Sequence, residues 1–200
     1  MSTIATADLP PRDAYRLMTS ILVPRPIAWV STRGADGSCN LAPYSFFNGI
    51  GGVPPTIMVS MSQRQGKPKD SLRNITETGE FVVNIVSVEL AREMNLSAGE
   101  YEYGVDEFAL AGLETAPCVD VQAPRVARAP AAMEVKAIQI TPVEDTAYTV
   151  VFGRVVRFHL REGLLRPDGL VDARLLDPLA RLGGDEYAHL TDIFEMKRPA

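Results

Sequence analysis

The chain has very little of what most hydrolytic or metal chemistry requires. Only two cysteines, Cys39 and Cys118, and two histidines, His159 and His189, occur among its 200 residues. No CxxC pair is present, so zinc-ligand spacing is missing and no metal site is expected. A chain this long buries a core without staples, so a disulfide scaffold is not needed either. No Ser/His/Asp or Cys/His constellation can be assembled, and the GxSxG elbow of serine hydrolases is absent. No GxGxxG follows a strand and no P-loop occurs; the one glycine-rich string, Gly49-Ile50-Gly51-Gly52, runs into Pro54-Pro55 rather than into a helix. No run approaches about 18 consecutive apolar residues, so no membrane span is expected. Residues 1–13 lack the basic start and apolar run of a secretory signal, and the expected compartment is the cytoplasm, with both thiols reduced.

What is present is an ordinary globular composition, 46% hydrophobic and 22% charged, with a net charge of −5. That balance argues against a nucleic-acid partner and leaves room for a local basic patch around a phosphate. The length suits a single domain over residues 1–200, with residues 1–13 as an N-terminal arm.

A short helix is expected over residues 12–20. Pro24 and Pro26 exclude a helix or central strand there, leaving an extended or edge segment. Residues 27–32 then read as a strand, with Gly34, Asp36-Gly37 and Ser38 as the turn after it. The returning strand is expected over 41–50, followed by a third over 57–61 whose alternation puts Ile57, Val59 and Met61 on one face. Residues 63–69 read as a polar loop, and a helix from residue 69 or 70 to 78 should be stopped by Gly79. A strand over 80–86 follows, then a helix from Ser87 to about residue 96. Residues 97–130 read as loop anchored by Phe108, Leu110 and Leu113, with Asp106-Glu107 as solvated surface. Two further strands, 131–140 and 147–160, precede a helix near 173–182. Tight turns between the early strands cannot join parallel neighbours, so the sheet should be antiparallel, of α+β type but mainly β.

Two stretches can carry chemistry. Ser60, Ser62, Arg64, Lys67, Lys69, Ser71 and Asn74 cluster about a helix N-terminus, where free amides and the helix dipole favour a phosphate; a solvated basic loop, with Ser71 only capping the helix, fits the same spacing. Residues 42–48, Ala-Pro-Tyr-Ser-Phe-Phe-Asn, offer small, aromatic and hydroxyl groups suited to a flat ring, though Phe46 and Phe47 read equally as core on an edge strand. His159 closes an apolar strand and reads as structural, and His189 has no evident partner.

The strings Val23-Pro24-Arg25-Pro26-Ile27-Ala28-Trp29-Val30-Ser31-Thr32 and Asn40-Leu41-Ala42-Pro43-Tyr44-Ser45-Phe46-Phe47-Asn48 resemble the flavin reductase-like, flavoredoxin-type family. So do Lys69-Asp70-Ser71-Leu72-Arg73-Asn74-Ile75, Phe81-Val82-Val83-Asn84 and Arg181-Leu182-Gly183-Gly184-Asp185-Glu186-Tyr187, in the family's order. The resemblance implies an antiparallel split β-barrel of the FMN-binding type, with short peripheral helices, working as a homodimer. It implies that Ala42, Pro43, Tyr44 and Ser45 line the flavin ring with Asn48 close by. Ser60, Met61 and Ser62 then follow the ribityl chain and phosphate, Lys67, Lys69 and Ser71 hold the phosphate, and Asn84 sits nearby. The segment 183–187 is expected to approach the flavin from the same or the partner chain. The implied activity is NAD(P)H-dependent flavin reduction, hydride passing from NADH or NADPH to flavin N5 with no catalytic side chain. The alternatives are a flavoredoxin-type electron carrier served by a redox partner protein, and a flavin-free binding module.

Overall fold

The computed structural model describes residues 1–64 and 66–199, so Gln65, part of the loop expected over 63–69, lies outside the described residues. A 3-10 turn, Thr6–Asp8, leads into α1 (Pro11–Ile21). This helix begins inside the expected arm because Pro11 occupies its first position, where the fixed φ suits a helix and the missing N–H is not needed. Next come β1 (Arg25–Pro26), β2 (Ala28–Arg33), β3 (Cys39–Tyr44), β4 (Phe47–Gly52), β5 (Pro55–Arg64) and β6 (Lys67–Pro68). After α2 (Asp70–Thr78) and β7 (Glu80–Ile85) the chain forms α3 (Ala91–Leu96) and α4 (Glu107–Leu110). The small hairpin of β8 (Thr115–Ala116) and β9 (Arg125–Val126) precedes the long pair β10 (Ala131–Pro142) and β11 (Tyr148–Leu160). The chain ends through α5 (Ala173–Leu176), β12 (Ala180–Arg181) and β13 (Tyr187–Ala188).

The main sheet runs β3-β2-β7-β10-β11-β5-β4, every pairing antiparallel. The strand expected over 41–50 is therefore two strands, and these lie at opposite edges of the sheet. Curling brings the edges together, and the Ser60 amide donates to the Phe46 carbonyl at 2.8 Å. The result is an antiparallel barrel split along one seam, with the peptides at Ser45 and Phe46 crossing the gap. Pro43 is tolerated in β3 because that strand has a neighbour on one side only.

Alternation builds the core. Ile57, Val59 and Met61 point into the barrel with Val30, Phe81, Val83, Val135 and Val151. Burying each such side chain contributes roughly 1.5–3 kcal/mol. Gly153 is required where it stands, because a Cβ there would collide with a Val135 methyl and the Phe81 ring. A second cluster on the outer face joins Trp29, Leu41, Leu90, Met94, Phe108 and Leu113, and the Trp29 indole donates to Ser97 Oγ at 2.8 Å.

Several expectations shift in detail. Leu110 is exposed, since α4 is one turn long and turns Glu107 and Phe108 inward. The helix after Ser87 opens as a 3-10 turn, Val88–Leu90, without a side-chain cap. The helix expected near 173–182 stops at Leu176, where Asp177 enters the left-handed region (φ 41°), and the rest pairs as β12 with β1. In place of a plain loop over 63–69, β5 continues to Arg64 and pairs back onto β6.

Candidate functional site

The start of α2 is fixed by buried polar contacts. Asn40 Nδ2 donates to Ser71 Oγ at 2.7 Å, and Asn74 Nδ2 donates to Thr32 Oγ1 at 2.9 Å, docking the helix onto β3 and β2. Lys69 is the N-cap residue, and no side chain caps the first turn. Its leading amides therefore have no intrahelical partner, which leaves them available to an anion. Lys69 Nζ stands 5.9 Å from the centre of the Tyr44 ring. Tyr44 is buried beside Ser71, its hydroxyl has no hydrogen-bond partner, and burial pushes its pKa up to about 12. Lys69 and the open amides stand together at the start of α2 beside the buried Tyr44 ring, a donor set that suits a phosphate.

Strand parity sorts the expected site residues. On β5, Ser60 and Ser62 are half-buried and face outward, whereas Met61 is fully buried in the barrel. Its side chain is core, and only its backbone is left to meet a ligand. On β3, Ala42 packs on the barrel core with Tyr44, while Pro43 faces a cleft shared with Ser45. Asn48 is exposed and its own Oδ1 accepts from the Gly49 amide. Lys67 is exposed and Lys69 half-buried at the mouth of α2. Ser71 is a buried helix residue rather than a cap, and its hydroxyl accepts from Asn40 inside the fold. Asn84 stands apart: fully buried, it donates to the Trp29 carbonyl and Ser31 Oγ and accepts from the Val126 amide, a structural clamp.

The seam carries an aromatic cluster. The Phe46 ring meets Tyr15 edge-on at 6.4 Å and Tyr148 at 5.8 Å. Beside it lies a cleft of about 250 Å³ between α1, β1 and the β12–β13 hairpin, and residue 184 and Tyr187 of the expected 183–187 segment line it. Gly183 seats the hairpin on α1, where a Cβ would come within 3.0 Å of Ser20 Cβ.

Arg25, which the sequence presents only as part of a proline-flanked string, sits in the wall of this cleft. Its Nη1 donates to the carbonyls of Thr19 (2.5 Å) and Leu22 (2.6 Å), its Nη2 to that of Leu182 (2.7 Å), and its Nε to Ser45 Oγ (3.4 Å). Glu107 is not the solvated surface residue expected from the sequence. It is buried, accepts from the Leu41 amide at 2.9 Å, and burial pushes its pKa up to about 7, with Asp70 and Asp106 adding to the rise. That contact ties α4 to the strand that leads into the seam.

The remaining titratable cluster is Cys118, Glu134 and His159, whose ligand atoms lie within 4.8 Å of one another. The carboxylate is already engaged by the amides of Val119 (2.8 Å), Asp120 (2.5 Å) and Val121 (3.0 Å) and by His159 Nε2 (2.6 Å). His159 is thus a structural partner, as its place on an apolar strand suggested. His189, expected to lack a partner, pairs through Nδ1 with Asp177 at 3.0 Å.

Among solved structures, the chain is similar to nitrilotriacetate monooxygenase component B from Bacillus cereus, at 36% identity and a TM-score of 0.94 over 98% of each chain. It is also similar to the 2-nitrobenzoate 2-nitroreductase NbaA of Pseudomonas fluorescens, at 34% identity and a TM-score of 0.90 over 99% of this chain and 96% of that one. Flavoredoxin of Desulfovibrio vulgaris (Miyazaki F) matches at 28% identity and a TM-score of 0.76, over 87% of this chain and 91% of the other. Residues 18–178 match the family described as "Flavin reductase like domain". The split antiparallel barrel, the motifs in order and this match agree, and the chain belongs to the flavin reductase-like family.

Proposed function

We propose that the protein binds FMN and works as an NAD(P)H-dependent flavin reductase. The observation that carries the reading is the uncapped start of α2, where open amides and Lys69 stand together beside the buried Tyr44 ring. Lys67 and Lys69 would hold the FMN phosphate, with the amides of the first turn and the outward hydroxyls of Ser60 and Ser62. Pro43 and Ser45 would meet the ring through their backbone, and Asn48 would close the far side. The bound flavin supplies a hydride acceptor at N5, which asks the protein for placement rather than for an acid or base. Glu107 holds the platform strand through Leu41, and the Phe46 cluster walls off water at the seam.

The purified protein should show a flavin spectrum, or acquire one with added FMN, and bleach anaerobically with NADH or NADPH. Lys69→Ala should weaken FMN binding by about 1.5–3 kcal/mol, the worth of a hydrogen bond to a charged group. A colourless protein that ignores FMN would sink the proposal. Fast reduction by a redox protein, with no response to nicotinamides, would mark an electron carrier.

The same reading includes a homodimer. Leu17, Met18 and Ile21 of α1, Leu22 just after it, and Ile193, Phe194 and Met196 of the C-terminal segment are exposed, an apolar area that a second copy would cover. Light scattering at twice the chain mass supports this; a monomer rejects it. Among the described residues no helix is long and apolar enough to cross a membrane, and both cysteines are free, in keeping with the proposed cytoplasmic setting.

A further inference from the structure

The cleft beside Ser45 has a charge that the fold leaves unmatched. Arg25 is only 9% exposed, and the partners of its guanidinium are neutral: three carbonyls, one hydroxyl and, at 5.9 Å, the Phe46 ring. Among the described residues no carboxylate pairs with it. A buried charge without a counter-ion is costly, and neutral carbonyl acceptors offset that cost only in part. Arg16 and Arg181 line the same cleft, and among the described residues no aspartate or glutamate does, although the whole chain carries −5. Arg181 is held over the Tyr187 ring at 4.6 Å and bonded to Tyr187 Oη and the Gly184 carbonyl; its one carboxylate neighbour, Asp185, is 3.7 Å away and fully solvated. The remaining walls are flat or apolar: Tyr15, Ile27, Pro43 and Met94. Ser45 accepts from Arg25, so its own proton is free to be donated into the cleft.

We propose that this cleft is a subsite for a small one-ring organic oxyanion, separate from the phosphate position at α2. Arg25 supplies fixed positive potential from the wall, Arg181 and Arg16 meet the oxyanion, Ser45 donates a hydrogen bond, and Tyr15 and Tyr187 flank the ring. A volume of about 250 Å³ suits one substituted ring. The binding stands on this chain's own residues; only the role of the bound molecule as a redox reactant rests on the flavin proposal. Two sources supply such chemistry, an aromatic carboxylate or the phosphorylated nicotinamide half of a nucleotide.

The test is calorimetric titration of benzoate and of nicotinamide mononucleotide, with benzamide and nicotinamide as neutral controls, on the FMN-saturated and the flavin-free protein. Binding of either anion to both forms, about tenfold weaker in Arg181→Gln and in Arg16→Gln and absent for the neutral controls, is the expected result. Preference for benzoate assigns the oxyanion to a carboxylate, and preference for the mononucleotide assigns it to a phosphate. Arg25→Lys keeps the charge and should keep the binding; if that variant fails to fold, the Arg181 and Arg16 variants carry the test alone. Equal binding in those two variants, binding of the neutral controls as strong as of the anions, or exclusion of both anions by FMN overturns the proposal. Failure of FMN to bind, with anion binding intact, rejects the flavin reading and leaves this one standing.

Discussion

Glu134 and Arg25 are both buried charges, and the fold treats them in opposite ways. Glu134 has a fully buried side chain that receives three backbone amides and His159, with Arg157 at 3.8 Å. Burial alone would raise its pKa, but the Val119 amide, His159 and the Asp120 amide outweigh that and hold the carboxyl below its usual range. Arg25 instead faces neutral acceptors and the Phe46 ring, and borders a cleft. The first charge is consumed by the structure it organises, the loop before β9 pinned to β10. The second is left over, and a leftover charge at a cavity wall is what a ligand can answer.

The contrast can be broken by substitution. Glu134→Ala should have the largest effect on folding, about 3–5 kcal/mol by urea denaturation, because it strands His159 and three amides; anion and FMN binding should be unchanged. In the wild type, stability from Glu134 is fully present above its unfolded pKa near 4.5 and is lost as pH falls through the lower folded value. Glu107 has the reverse sign. Its folded pKa of about 7 lies above the unfolded 4.5, so the native state holds the extra proton and stability falls as pH rises through that window. At about 1.4 kcal/mol per unit the loss is a few kcal/mol, and Glu107→Gln should flatten that slope in pH-dependent unfolding. Arg25→Lys should cost less, about 1–2 kcal/mol for lost carbonyl bonds, and should keep anion binding because the charge at the cleft wall remains. The smallest effect belongs to Arg128→Ala, whose pair with Glu93 at 3.2 Å is solvent-exposed; about 0–1 kcal/mol is expected. A large loss there would mean that burial is not what separates the two charges.

Much of the scaffold can be read from residue order. The alternation of Ile57, Val59 and Met61 gives β5 its inner face, and Pro68, Asp70 and Gly79 bracket α2, with Gly79 taking the left-handed conformation (φ 74°) at its C-cap. The break at Ser45 is hidden because the residues on both sides stay extended and apolar, so one strand and two look alike. The pairing of β12 with β1 and β13 is hidden because two-residue strands have no period. The partners of Arg25 come from residues 19, 22, 45 and 182, which only the folded chain brings together. Tyr44 was within reach: parity with Asn40 and Ala42 on β3 already turns it toward α2 and the core. Nothing local distinguished Glu107 from Asp106, one buried and the other capping α4.

The seam sets an order in which the molecule comes apart. β7 and β10 are laddered on both sides, whereas β4 has β5 alone, is largely exposed and carries Gly49, Gly51 and Gly52. Backbone held by one neighbour and thin in side-chain contacts opens at lower free energy than the centre of a sheet. Amide exchange at residues 49–52 should therefore run orders of magnitude ahead of that in β7. The barrel breathes at its clasp while its inner layer stays shut.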